Sequence, residues 1–127
     1  MKQTVLVIDF GSQYTRIIAR RIREQGVFSE IKPHTVTAEE VRGISPSAIV
    51  LSGGPRSVWD EGAPLLDAAI LESGVPVLGI CYGMQMIVRM LGGEVERSQE
   101  REFGPAAIEI VDGGGLFGGF SSSADVW

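Results

Sequence analysis

Short apolar runs, each stopped by a glycine, a proline or an acidic residue, alternate along this chain with stretches of helical spacing. Thr4-Val5-Leu6-Val7-Ile8 is continuous and ends at Asp9, as suits a strand buried on both faces of a parallel sheet. Beyond it, Tyr14, Ile17, Ile18 and Ile22 share one face of a predicted helix. Ser12 is placed to cap that helix, Arg16, Arg20, Arg21 and Arg23 fall on its wet side, and Gly26 ends it. Residues 27–31 read as a second, shorter strand. Thr37-Ala38-Glu39-Glu40 has the capping-box spacing and opens a brief helix that stops near Gly43.

Ala48-Ile49-Val50-Leu51 is the third strand, broken by Ser52-Gly53-Gly54-Pro55. Pro64 starts a predicted helix through Leu65, Leu66, Ala69 and Ile70, with Gly74 and Pro76 past its end. Residues 77–80 form the fourth strand and run into Cys81. A helix follows with Met84, Ile87, Val88 and Leu91 on one side and Gly92-Gly93 as its stop. Further on, residues 106–111 resemble a strand, Gly113-Gly114-Gly115 a turn, and residues 124–127 the opening of another strand. Strands alternating with helices at short intervals predict one α/β domain over residues 1–127, doubly wound around a largely parallel sheet of flavodoxin-like order 2-1-3-4. Right-handed crossovers then put the functional loops at the carboxyl ends of the strands. No internal repeat or linker is visible.

Composition narrows the function classes. The 127 residues are 44% hydrophobic and 21% charged, within the usual range for a globular domain. Eleven basic against sixteen acidic side chains leave a net charge of -5, with no footprint for nucleic acid or anionic lipid. No apolar run approaches the roughly 18 residues of a membrane span. Met1 to Thr4 lead straight into a strand without an apolar leader. A single cysteine cannot form an internal disulfide, which fits a reducing cytoplasm.

That cysteine carries the chemistry. In Gly79-Ile80-Cys81-Tyr82-Gly83, glycines stand two before and two after a thiol at a strand-to-helix junction. A nucleophile on such a sharp turn crowds its neighbours, and glycine at those two positions relieves the crowding. The thiol also sits at a helix N-terminus, which favours the thiolate. Ser52-Gly53-Gly54-Pro55 leaves the strand predicted to lie alongside. Its glycine backbone can approach a substrate and aim N–H groups at a developing oxyanion, with the amide of Tyr82 as a second donor. A buried, inert cysteine and a plain strand-exit turn are the bland alternatives.

At these residues the chain resembles the class I glutamine amidotransferases, and among them the branch whose ammonia aminates XMP to GMP. Gly79 through Gln85 is similar to that branch's nucleophile motif; Tyr82 and Met84 stand where relatives serving anthranilate or carbamoyl phosphate usually show Leu and His. Asp9-Phe10-Gly11-Ser12-Gln13-Tyr14, Ser52 to Val58 and Arg101-Glu102-Phe103-Gly104-Pro105 resemble further motifs of the same branch. The resemblance implies Cys81 as nucleophile, Gly53, Gly54 and Tyr82 around the oxyanion, and Gln85 holding the substrate L-glutamine. It implies hydrolysis through a γ-glutamyl thioester, with the ammonia passed to an ATP-pyrophosphatase domain of the same enzyme. ATP and Mg belong to that domain. No cofactor or metal is implied here, and the full enzyme can be a homodimer. Asp9-Phe10-Gly11 also matches the kinase D-F-G, but no glycine-rich loop, strand lysine or H-R-D precedes it, so a structural turn is expected.

The pattern departs from the family in one respect. A thiol of this kind works with a histidine base oriented by a carboxylate, which the family supplies from Ser-His-Gly and His-Pro-Glu segments absent from these residues. The sole histidine is His34, after the second strand. In the order 2-1-3-4 it lies three strand spacings from the fourth strand, about 14 Å at ~4.8 Å each, and is expected to be a loop residue. The expectation is therefore a partial amidotransferase domain, lacking its C-terminal part, inactive by itself and with its last strand at an open edge. A non-catalytic module that uses the elbow cysteine for redox sensing or partner docking is the alternative from another class. A cysteine hydrolase of the wider elbow-bearing kind is the third.

Overall fold

The computed structural model describes residues 3–54, 65–95, 106–109 and 123–126. The chain divides into two compact units, Met1–Val95 and Glu96–Trp127. In the first, β1 (Thr4–Asp9), β2 (Phe28–Pro33), β3 (Ala48–Leu51) and β4 (Val77–Gly79) form one sheet in the order β2-β1-β3-β4. All three pairings are parallel, with Val7 opposite both Ile31 and Val50, and Val50 opposite Leu78. The α/β class and the strand order both match the sequence expectation.

Alternation along the strands sorts their side chains to two faces. Leu6, Ile8, Ile49 and Leu51 face a core completed by Val41 of α2 (Ala38–Ile44) and by Tyr82 and Met86 of α3 (Tyr82–Met90). Val7 and Val50 face the other way, onto Ala19, Ile18 and Ile22 of α1 (Thr15–Glu24). Burial on both faces explains why β1 reads as an unbroken apolar run rather than an alternating one. The helix α1 is tied to its neighbour strand by polar contacts: buried Ser29 donates to the Ala19 carbonyl at 2.8 Å, and Arg23 donates to the Ser29 carbonyl at 3.0 Å.

The α1 connection runs from β1 outward to β2 over one face, and the α2 connection runs from β2 back past β1 to β3 over the other. The direction of the sheet therefore reverses between β1 and β3. Open α/β sheets form their clefts at the carboxyl ends of strands at such a switch point.

Local details differ from expectation where side chains capture backbone groups. Ser12 does not cap α1; Tyr14 occupies the cap position, and the Ser12 hydroxyl accepts from the Tyr14 N–H in the turn before it. The strand β2 runs past Ile31 to Pro33 because its full length pairs with β1. No α-helix is present across Leu65, Leu66, Ala69 and Ile70. Only a 3-10 turn, Ala68–Ile70, forms there, since the Asp67 carboxylate takes the Ala69 N–H at 3.1 Å and the Ala38 N–H of α2 at 2.9 Å. Thr37 does form the capping box with Glu40, and α2 closes on Ser45 in the left-handed region.

The second unit holds a two-stranded antiparallel pair, β5 (Ala106–Glu109) with β6 (Ser123–Val126). Among the described residues β6 pairs with β5 alone. The Gly113 turn, Pro64 and the Arg101–Pro105 motif lie outside the described residues. Among the described residues no helix is long and apolar enough to cross a membrane.

Asp67 connects α2 to the 3-10 turn, and the Ala38 and Ala69 N–H bonds hold its carboxyl below the ordinary 3.8. With the folded value depressed, its contribution is complete above that unfolded value and is lost as pH falls through the folded one. Asp67→Ala is expected to lower the urea midpoint at neutral pH. The gap from wild type should close below about pH 3.8, read by circular dichroism across a pH series.

Candidate active site

The site begins where β4 stops. The Ile80 N–H still bonds the Leu51 carbonyl of β3 at 2.9 Å, so the strand is held in register up to the residue before the turn. Cys81 then redirects the chain into α3 with φ 53° and ψ -114°. Only Cys81 and Ser45 have positive φ among the described non-glycine residues. Such a conformation costs of order 1–3 kcal/mol and persists only where the surroundings enforce it. Here the enforcement is backbone pairing: Gly83 N–H to the Ile80 carbonyl at 3.0 Å and Gln85 N–H to the Cys81 carbonyl at 3.1 Å. The thiol is left exposed at the N-terminus of α3.

Three glycines leave no room for a side chain around this turn. A Cβ on Gly79 would stand 2.7 Å from Met84 N, and one on Gly83 would stand 2.6 Å from the Leu51 carbonyl oxygen. Gly53, at the exit of β3, would place a Cβ 3.1 Å from the Cβ of Cys81 and 3.8 Å from its Sγ. Gly54 is closed off on another side, by the Phe10 carbonyl. The two glycine-rich exits thus pack closely, with too little space between Gly53 and Cys81 for a relaxed side chain at position 53.

A cleft of about 410 Å³ opens beside Cys81, lined by Gly53, Gly54 and the turn Gly11, Ser12, Gln13 and Tyr14 after β1. None of these described lining residues carries a charge, and the thiol sits at the positive end of α3. Behind the cleft lies a buried polar chain. Ser52 Oγ accepts from the Phe10 N–H at 3.2 Å and donates to the Gly53 carbonyl at 3.2 Å. The Thr15 hydroxyl lies 3.0 Å from Asp9 Oδ1, 3.1 Å from Ser52 Oγ and 3.2 Å from the Ser12 carbonyl, with one proton for three acceptors. Asp9 also takes the Gly11 N–H at 2.8 Å, which fixes the turn that walls the cleft.

Tyr82 is buried, its ring 5.7 Å from that of Phe10. His34 also stacks on Phe10, with ring centroids 6.0 Å apart. The sole histidine is therefore held against a phenyl ring and is not among the residues lining the thiol's cleft. Gln85, one turn into α3, is half-buried, and its Oε1 has no partner among the described residues. That oxygen is itself buried, and Gln85 is not among the described residues lining the cleft. Among the described residues no three His, Cys, Asp or Glu side chains gather as a metal site.

The profile of the family described as glutamine amidotransferase class-I matches residues 6–127. The chain belongs to the class-I glutamine amidotransferases. Within that family it is 56% identical over 125 residues to the GMP synthase (glutamine-hydrolyzing) of Oleidesulfovibrio alaskensis, covering 97% of this chain. With the enzyme of the same name from Listeria innocua it shares 48% over 126 residues, 99% of this chain. It spans 24% of the length of each. A crystal structure from Thermoplasma acidophilum, of a protein described as one subunit of a GMP synthase, superimposes with a TM-score of 0.85 at 30% identity, covering 100% of this chain and 64% of that one.

The structure brings together Cys81, Gly53, Gly54 and the backbone of Tyr82, and sets Gln85 one helical turn behind. Sequence reasoning missed two things. It took the turn after β1 as structural only, whereas Gly11 to Tyr14 form a wall of the cleft. It also assigned no role to Ser52 or Thr15. The available signal was two hydroxyl residues at the ends of apolar elements, where a buried hydroxyl needs partners.

The strain at Cys81 is testable by stability. Its angles are the mirror image of an extended conformation, open to glycine and closed to side chains. Cys81→Gly should therefore raise the unfolding free energy by about 1 kcal/mol, while Cys81→Ala, which keeps Cβ, should not. Gly83→Ala, forced against the Leu51 carbonyl, should cost about 1–3 kcal/mol. Urea titration of the three variants measures all of these.

Proposed function

We propose that this chain supplies the nucleophile and oxyanion donors of the glutaminase half of a GMP synthase. The observation that carries the reading is the strained thiol of Cys81 in contact with the glycine exit of β3, on a class-I amidotransferase fold. The Cys81 thiolate attacks the side-chain amide carbonyl of L-glutamine. The oxygen of the tetrahedral intermediate gains its charge beside the backbone amides of Gly54 and Tyr82, with Gly53 leaving space above the sulfur. Collapse expels the amide nitrogen, which needs a proton to depart as ammonia, and leaves a γ-glutamyl thioester. Water then releases glutamate and regenerates the thiol. Gln85, one helical turn past the thiol, is assigned to holding the substrate glutamine on the resemblance of its motif alone.

His34 is engaged with Phe10, so the general acid–base group is assigned to the part of the enzyme beyond the quarter that this chain spans. The ATP- and Mg-dependent amination of XMP to GMP is assigned to that part as well, in a cytoplasmic enzyme. A purely redox or docking role for Cys81 draws no support from family membership.

A chloroketone analogue of glutamine tests the reading through its binding groups and its electrophile together. One equivalent should attach to the 127-residue chain, at Cys81 by peptide mapping. L-glutamine should protect and L-asparagine should not. Labelling that glutamine fails to slow would sink the glutamine reading, even if Cys81 proved reactive.

A further inference from the structure

Beyond the residues that touch substrate, the buried hydroxyl behind the cleft has a task of its own. We propose that Ser52 is a positioning residue for acyl transfer, holding the Gly53–Gly54 peptide so that the Gly54 N–H is aimed at the oxyanion. This rests on the reading that Cys81 attacks a carbonyl.

Ser52 has no exposed surface. A hydroxyl enclosed in this way is costly unless its donor and both acceptor sites are used. Its partners are unusually specific. The Phe10 N–H and the Thr15 hydroxyl approach its oxygen from β1 and α1, at 3.2 and 3.1 Å. Its own proton goes to the Gly53 carbonyl at 3.2 Å. That carbonyl belongs to the peptide whose nitrogen is Gly54. In a trans peptide the carbonyl and the following N–H point to opposite edges of one plane, and no cis bond occurs among the described residues. Anchoring the carbonyl on the buried hydroxyl therefore sets the direction of the Gly54 N–H.

The anchor matters because the loop cannot anchor itself. Two glycines in succession have wide conformational choice, and rotation of their shared peptide would turn the donor away from the sulfur. A side chain is nevertheless shut out at Gly54 by the Phe10 carbonyl and crowded at Gly53 by Cys81. Freedom forced by sterics is thus removed by one hydrogen bond. Phe10 supplies the reciprocal link: its N–H fixes Ser52, and its carbonyl crowds Gly54. The turn after β1 thereby controls the donor loop after β3.

The test separates aiming from general integrity by using two electrophiles on one thiol. Acetylation of Cys81 by p-nitrophenyl acetate passes through a tetrahedral oxyanion: the thiolate adds to the carbonyl, and p-nitrophenolate leaves with the electron pair. Alkylation by iodoacetamide displaces iodide and forms no oxyanion. Both consume thiolate, so the ratio of the two rates cancels any change in thiol ionisation. Losing an oxyanion donor outright costs on the order of 10²–10³ in rate, so releasing one from its anchor in Ser52→Ala should lower acetylation by ~10-fold. Iodoacetamide alkylation should stay within about twofold, since no oxyanion forms. Ser52→Thr, which keeps the hydroxyl, should restore the ratio. Thr15→Val, which leaves Ser52 in place but removes one of its partners, should give a smaller fall in the same direction.

Equal losses in both reactions, or none in either, would overturn the proposal. A wild-type ratio no higher than that of N-acetylcysteine would remove the oxyanion pocket and the proposal with it. A high ratio unchanged by Ser52→Ala would remove only the role of Ser52. Failure of glutamine to protect Cys81 would leave these ratios untouched.

Discussion

Everything at this site depends on how closely α3 approaches the end of β3. The first turn of the helix lies against the Leu51 carbonyl, so near that a methyl group on Gly83 would overlap it. That approach leaves Cys81 no room for an ordinary turn and drives its backbone to positive φ. The same approach puts the sulfur beside Gly53 rather than in the core. Strain, exposure and proximity to the Gly53–Gly54 loop go together with this close packing, which glycine at neighbouring positions permits.

The sheet provides the rigidity that this arrangement needs. Backbone pairing continues past the strand ends, through Ser52 N–H to the Ile8 carbonyl and Ile80 N–H to the Leu51 carbonyl. The three exits that form the site are therefore registered against one another before any side chain acts. Apolar burial on both faces then holds the strands in place: Leu6, Ile8, Ile49 and Leu51 on one side, Val7 and Val50 on the other. A loop-borne nucleophile without such a base would relax out of its strained conformation.

The division of labour also follows from geometry. Thiol and candidate oxyanion donors arise from adjacent strand exits and are assembled within about the first 95 residues, the compact unit Met1–Val95. The sole histidine is stacked on Phe10 and is not among the described residues lining the cleft beside the thiol. Relatives named as GMP synthases are about four times as long, since this chain spans 24% of them.

The linear pattern was enough to determine the α/β class, the strand order and the elbow around Cys81. Unbroken apolar runs specify strands buried on both faces, and glycines two residues either side of a thiol specify a turn that tolerates no side chain. Those are local requirements, written in residue type and spacing. The 3-10 turn at Ala68–Ile70 was not legible, because it depends on Asp67 reaching an N–H of α2, 29 residues away. The wall formed by Gly11 to Tyr14 and the bonds from Ser52 to Phe10 and Thr15 were not legible either. They link positions 42 and 37 residues apart. Only the parallel register of β1 against β3 brings those positions within reach, and no spacing rule along the chain encodes it.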